Sequence, residues 1–371
     1  MRVTFVLPNF TQVPIGGYKV VYQYANELVK LGHHVVVVQS PLTRFGAKGL
    51  DRIRAYSSYL RQGALGGHSY LPRWLTLDPR INVLWRPSLD PAQIPDGDAV
   101  IATAWQTSEW VAAYPSTKGR KFYLIQHLET WSGGNADRVI ATWTLPLTKI
   151  VIAKWLWDYA HAMGESAIYI PNGSDPDEFN VDVPIMARNG NHVGMMYHRA
   201  AWKGSQDGLK ALDIVRGAVP ELQVTLFGTE DRPHSLPESV RYVVNPTRQA
   251  LRQIYNQVAI FIGPSWTEGW GLPPMEAAMC GAALAVTDIG GHREYARHLR
   301  TALLSPPHDP EVMAENVKRL IVDPPLRWKL AEEGRRWCQN LSWEKSGRML
   351  EQALSRNEGP PGGQDEKAPT E

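Results

Sequence analysis

The feature that most restricts the fold of this chain is a pattern that occurs twice: a short, almost unbroken apolar strand, a helical stretch, then another such strand. Residues 3–7 are the first apolar run. After a loop through Gly17, the residues Val20, Val21, Tyr24, Ala25, Leu28 and Leu31 keep helical spacing up to Gly32, and 35–38 is the next run. The second half repeats this with a strand over 193–197, Lys203-Gly204 in a loop, a helix marked by Leu209, Leu212, Val215 and Val219, and a strand over 224–227. Strands apolar on both faces belong in parallel sheets covered by helices on both sides, so the pattern predicts an α/β chain of two Rossmann-like units. The 371 residues also exceed the roughly 250–300 that one core sustains.

Ile170-Pro171-Asn172-Gly173-Ser174-Asp175-Pro176-Asp177 has the turn chemistry of a connector, which places a linker or hinge over 171–190 between units at 1–170 and 191–340. Ser342 is a candidate cap for a helix over 343–354, expected to pack back onto the N-terminal unit, and the Gly-, Pro- and acid-rich tail 357–371 reads as disordered. Pro8 interrupts the first apolar run before it reaches the length of a leader core, and no run of 18 apolar residues occurs, so a cytoplasmic chain is expected. The formal charge of +2 gives no electrostatic case for nucleic acid. Cys280 and Cys338 alone make neither a disulfide framework nor a zinc knuckle.

Segment 42–75 departs from this pattern. It carries Arg44, Lys48, Arg52, Arg54, Arg61 and Arg73 against Asp51 alone, with Leu50, Ile53, Tyr56, Tyr59 and Leu60 interleaved at near-helical spacing. The simpler expectation is a solvated helix with its apolar side on its own domain; the other is a peripheral contact with an anionic membrane or acceptor.

The densest chemistry lies between Gly263 and Gly281. An apolar strand at 258–262 runs into a glycine-rich loop holding Glu268, and Pro273-Pro274 sits where a helix begins, with Glu276 expected in its first turn. Unpaired N–H groups at such a helix start, near Gly271 and Leu272, suit a diphosphate. Glu268 and Glu276 are eight positions apart, about 12 Å along a helix, too far for the roughly 5 Å of a retaining hydrolase pair. Carboxylates accept well from vicinal hydroxyls, so one gripping a ribose and the other a sugar is the better account. Asp96-Gly97-Asp98 and Asp175-Pro176-Asp177 sit in turns, where Asp is favoured for backbone reasons, and are not read as metal sites. No phosphate loop of the Walker type, serine elbow or zinc-protease motif is present.

The run Glu268-x7-Glu276 within Glu-Gly-Trp-Gly-Leu-Pro-Pro-Met-Glu-Ala, followed by Gly281 and Gly290-Gly291, resembles the signature of the family-4 retaining glycosyltransferases of GT-B fold. Gly16-Gly17, Pro171-Asn172-Gly173 with Asp175 and Phe179, Lys203-Gly204 and Ser342-Trp343-Glu344 fall where that family places similar residues. The resemblance implies two Rossmann-like domains facing each other across a cleft, an N-terminal acceptor domain and a C-terminal nucleotide-sugar domain. It gives Glu276 the nucleotide ribose, Glu268 the transferred sugar, Lys203 the diphosphate and Gly17 a close backbone approach to that diphosphate. The family's usual arginine five positions before the lysine is His198 here, with Arg199 beside it. Either Arg199 has slipped into that role or the site has a weaker cation. His127, after the strand-like 122–126, matches a histidine that touches the donor sugar in several members; Glu129 follows it.

The implied activity is metal-independent, retaining transfer of a hexose from a UDP-, GDP- or dTDP-sugar to a hydroxyl acceptor, lipid-linked or carbohydrate, with no cofactor beyond the donor substrate. A sugar-nucleotide-binding scaffold without turnover and a nucleotide-sugar epimerase are the alternatives. Trp74, Trp85, Trp105, Trp110 and Trp131 suit sugar stacking or core packing equally.

Overall fold

The computed structural model describes residues 1–64, 70–130 and 136–356. The tail 357–371, Trp131 and the stretch 65–69 of the basic segment lie outside the described residues. The chain forms two compact units, one of Met1–Pro171 with the C-terminal residues from Glu344, the other of Asn172–Trp343.

The first unit contains β1 (Arg2–Pro8), α1 (Gly16–Lys30), β2 (His34–Ser40), α2 (Leu50–Ala64), β3 (Asn82–Trp85), β4 (Ala99–Ala102), α3 (Trp105–Ala112), β5 (Arg120–Ile125), α4 (Ala136–Thr142), β6 (Thr148–Val151), α5 (Lys154–Ala162) and β7 (Ala167–Tyr169). Its seven strands are ordered β3-β2-β1-β4-β5-β6-β7, and every neighbouring pair is parallel. The reversal of strand order between β1 and β4 follows from the paired repeats. Val3, Phe5, Val37, Ile101, Phe122 and Ile150 are buried to 2% exposure or less, as strands sandwiched by helices require.

The second unit contains β8 (His192–Met196), α6 (Ser205–Ala218), β9 (Gln223–Gly228), β10 (Arg241–Val244), α7 (Arg248–Gln257), β11 (Ile260–Gly263), α8 (Leu272–Met279), β12 (Ala283–Thr287), β13 (Ala302–Ser305), α9 (Pro310–Val322) and α10 (Pro324–Gln339), followed by α11 (Trp343–Ser355), whose first residue alone belongs to this unit. Its six parallel strands are ordered β10-β9-β8-β11-β12-β13. The core is the apolar cluster of Val193, Met195, Ile260, Ile262, Ala285 and Leu303 against Leu212 and Val215 of α6.

Residues 172–190 pack with the second unit. Asn256 of α7 accepts the Asp182 and Val183 N–H groups at 2.6 and 3.1 Å, Arg252 grips Asp182, and Arg248 pairs with Glu178. Arg188 is buried and donates to the Val183, Tyr255, Val258 and Cys280 carbonyls, and that burial lowers its pKa to about 10. Gly173 has no room for a side chain, since a Cβ there would lie 2.2 Å from the Trp343 nitrogen. In the first unit α11 is tied down by Ser346 to the Pro171 carbonyl at 2.7 Å and by His33 to Glu351 at 2.8 Å.

One expectation changes. The apolar side of α2 does not lie on its own domain: Leu50, Ile53, Tyr56 and Leu60 are 67, 64, 53 and 51% exposed. The inward face is the polar one, held by Tyr59 stacked on Trp85 at 6.5 Å and by the two-point Arg52–Asp90 pair. Of the tryptophans, Trp85, Trp105 and Trp110 are buried, and Trp74 is half-buried. No helix among the described residues is long and apolar enough to cross a membrane.

Candidate functional site

In open parallel sheets, ligands bind beyond the carboxyl ends of the strands, and in the second unit those ends converge on one polar network. After β8 the chain passes His198 and Arg199 and makes a short turn over 201–203. Gly204 then takes the left-handed conformation (φ +62°), and a Cβ there would lie 2.0 Å from the Pro264 carbonyl oxygen. The loop after β11 is thereby held against this turn, and Trp266 N–H donates to the Trp202 carbonyl at 2.7 Å. Lys203 Nζ consequently meets both carboxylate oxygens of Glu268, at 2.7 and 3.0 Å, and the Ser265 hydroxyl donates to Glu268 Oε1 at 2.9 Å. Burial by itself would raise the Glu268 pKa, but Lys203 and the Ser265 hydroxyl outweigh it and hold the carboxyl below the usual range. Glu268 is thus ionised and oriented at neutral pH.

His292, 1% exposed, supports this loop from beneath: its Nδ1 donates to the Thr287 carbonyl at 2.9 Å, and Thr287 Oγ1 donates to the Ser265 carbonyl at 2.5 Å. Burial lowers the His292 pKa, which keeps the ring neutral. Gly271 caps α8 in the left-handed conformation (φ +86°), where a Cβ would lie 2.8 Å from the His292 ring and 2.9 Å from the Tyr295 hydroxyl. Helix α8 therefore starts at Leu272, and Glu276 is its fifth residue, one turn inside the helix instead of in the first turn. Its carboxylate is a lateral acceptor, not a charge on the helix end. Glu276 is buried, and the Tyr255 hydroxyl donates to its Oε2 at 3.1 Å. Arg248 lies near enough to feel the same carboxylate, while stacking over Phe179 at 5.9 Å.

The structure thus brings Lys203 against Glu268 and sets Gly271, Leu272 and Glu276 on the adjoining helix. Arg199 is elsewhere: its exposed guanidinium pairs with Glu230 at 2.7 Å. His198 instead shares the electrostatic environment of Lys203 and Glu268, and burial followed by the Lys203 charge lowers its pKa. Ala200 N–H donates to its Nδ1 at 3.0 Å, so the neutral ring carries its proton on Nε2. Sequence reasoning missed Ser265, Tyr255 and His292; a hydroxyl three residues before Glu268 and a histidine directly after Gly290-Gly291 are the only local signals.

The first unit is built more sparsely. Gly16 and Gly17 open α1, and Gln126, just past β5, donates to the Gly17 carbonyl at 3.1 Å. A Cβ on Gly17 would rest in ordinary contact, 3.6 Å from that amide, so nothing within the unit demands a glycine there. His127 meets the edge of Trp155 at 5.4 Å. Glu129 accepts an N–H from Trp105 at the start of α3, and burial raises its pKa to about 7. As for the paired aspartates, Asp96 binds Lys118, Asp98 accepts from the Arg2 N–H, and Asp175 caps its own turn through the Asp177 and Glu178 N–H groups. Among the described residues no group of three or more His, Cys, Asp or Glu side chains is arranged to hold a metal.

Residues 186–337, which contain this network, match the family model described as glycosyl transferases group 1. The D-inositol 3-phosphate glycosyltransferase of Salinispora arenicola is 33% identical over 171 residues, covering 39% of this chain and 38% of its own length. That of Corynebacterium efficiens is 24% identical over 207 residues, covering 51% and 48%. The chain therefore spans less than half the length of these curated relatives. Among solved structures, sucrose-phosphate synthase from Thermosynechococcus elongatus aligns with a TM-score of 0.69 at 16% identity, covering 95% of this chain and 98% of that one. HepE of Anabaena in complex with UDP aligns at 0.71 and 14% identity, covering 96% and 100%. A variant of S. aureus TarM in complex with fondaparinux, α-GlcNAc-glycerol and UDP aligns at 0.72 and 10% identity, again covering 96% and 100%. The fold is of the GT-B type, two Rossmann-like parallel-sheet domains.

Proposed function

We propose that the protein is a retaining glycosyltransferase that moves a hexose from a nucleoside diphosphate sugar to a hydroxyl acceptor. The observation that carries this reading is the Lys203–Glu268 pair, fixed by Ser265 at the ends of β8 and β11, beside the start of α8. Its donor is assigned to the second unit and its acceptor to the first. Glu276, steadied by Tyr255, accepts from the ribose hydroxyls; Glu268 accepts from the hexose; Lys203 and the Leu272 N–H, the one backbone donor left at a helix start that continues Pro273-Pro274, take the diphosphate.

The reaction breaks the glycosidic C–O bond with positive charge developing on the sugar and negative charge on the departing diphosphate. Lys203 and the Leu272 N–H are preorganised donors whose interaction strengthens as that charge appears. The acceptor hydroxyl then attacks from the face the diphosphate leaves, giving its proton to a phosphate oxygen, and no protein nucleophile or metal is needed in this scheme. Polysaccharide, glycolipid or glycosylated-metabolite synthesis in the cytoplasm is the setting it fits. UDP is the first nucleotide to test, since HepE and TarM were crystallised with it.

Arg199 on Glu230 leaves Lys203, among the described residues, as the only cation paired with Glu268, which favours one second reading, a nucleotide-sugar-binding protein without turnover. Incubation with UDP-, GDP- and dTDP-hexoses and a panel of sugar and lipid acceptors separates the two. An α-linked product from an α-donor supports retaining transfer; an inverted product overturns that stereochemistry; tight nucleotide binding with no product supports the second reading; an epimerised donor without an acceptor overturns both.

A further inference from the structure

Helix α2 is amphipathic with its faces reversed. Ala55 is buried and Asp51, Ser58, Tyr59 and Gln62 are half-buried, so the i, i+4, i+7, i+8, i+11 stripe turned toward the domain is small and polar except for Tyr59. The opposite stripe, at i, i+3, i+4, i+10 and i+11, consists of Leu50, Ile53, Arg54, Leu60 and Arg61, all exposed, with Tyr56 at its flank 53% exposed. A helix that hid apolar surface in its own domain would show the opposite pattern, and four large apolar side chains on one helix are more than the scattered exposure an ordinary surface carries.

The charges around this stripe have one sign. Lys48, Arg54 and Arg61 are exposed, while the nearby acids are occupied: Asp51 pairs with Arg44 at 3.3 Å and Asp90 with Arg52 at 2.9 Å. In a protein–protein interface the apolar centre excludes charge, whereas here arginines alternate with Leu and Ile along the same stripe. A lipid interface accepts that arrangement, because Leu50, Ile53 and Leu60 enter the acyl boundary while Arg54 and Arg61 reach up to phosphate groups.

We propose that α2 is a docking helix for an anionic phospholipid surface, lying in the interface plane with Leu50, Ile53, Tyr56 and Leu60 inserted. The contact is independent of the transferase reading. It brings the N-terminal unit to the membrane without a spanning segment and fits an acceptor held in that membrane.

The test is co-sedimentation of the full chain with vesicles of phosphatidylcholine alone and of phosphatidylcholine mixed with phosphatidylglycerol, at low and high salt. Binding is expected only to the anionic vesicles and is expected to fall with salt. Arg54→Ala with Arg61→Ala should weaken it roughly 30-fold, at about 1 kcal/mol for each cation removed from an anionic surface. Ile53→Asp with Leu60→Asp should abolish it with an unchanged unfolding midpoint, because both side chains are exposed in the folded unit. Failure of the wild type to bind anionic vesicles overturns the proposal, as does equal binding by the Asp variant. A dimer in solution that the same Asp variant disperses also overturns it, since the stripe is then a contact between two copies.

Discussion

The strand-end loops of the two units are built by different rules. In the second unit a polar network is closed before any ligand arrives: Ser265 and Lys203 on Glu268, Tyr255 on Glu276, His292 and Thr287 beneath the loop, and two left-handed glycines that no side chain could replace. In the first unit Gly17 is free to carry a methyl group, His127 rests on a tryptophan edge, and Glu129 accepts from the Trp105 N–H at a helix start. Under the proposed function, the difference separates two tasks. Stabilising a departing diphosphate requires donors fixed in advance, because reorganisation at the moment of reaction costs rate. Admitting an acceptor requires space and a few adjustable groups.

The largest effect expected is from Lys203→Ala, which should lower turnover roughly 10²- to 10³-fold, the cost of removing one preorganised donor to developing negative charge. Stability should fall too, since Glu268 is left largely buried without its cation, and Glu268→Gln added to Lys203→Ala should restore the midpoint but not the activity. Retained activity in the single variant would remove Lys203 from the chemistry. The glycines test the contrast between units directly. Gly204→Ala or Gly271→Ala should each cost about 3 kcal/mol by denaturant unfolding, from left-handed strain and close contact together. Gly17→Ala should change stability by less than about 0.5 kcal/mol while raising the donor KM. Equal destabilisation at all three positions would erase the distinction.

A further effect concerns pH. Glu129 has a folded pKa of about 7, raised by burial from 4.5, so between those values the folded chain holds a proton the unfolded chain has lost. Its contribution to stability is full below the lower value and is lost as pH rises through the upper one. Glu129→Gln should flatten this slope in unfolding scans from acid to neutral pH, and an unchanged slope would show that another group carries it.

Much of this was legible in the sequence. The parallel α/β repeats follow from apolar runs too continuous for half-exposed strands, and Lys203, Glu268 and Glu276 stand out because a glycine- and proline-marked loop joins two of them. Ser265, Tyr255 and His292 were invisible because a serine, a tyrosine and a histidine scattered over 38 residues carry no local pattern. The place of Glu276 was misread by one residue, enough to move it out of the first turn, because a left-handed Gly271, not Pro273, sets the start of α8. Periodicity announced that α2 was amphipathic, but which face turns inward depends on Trp85 and Asp90, which lie far along the chain.

The central claim is that the second unit holds a nucleoside diphosphate through Lys203 and Glu276. Calorimetric titration with UDP, GDP, dTDP and ADP, with and without magnesium, tests it most directly. The account predicts that one of these binds to the wild type indifferently to magnesium. It also predicts that Glu276→Gln weakens that binding about tenfold, the difference between a charged and a neutral hydrogen-bond acceptor. Binding of none of them, or equal binding by wild type and variant, would contradict it.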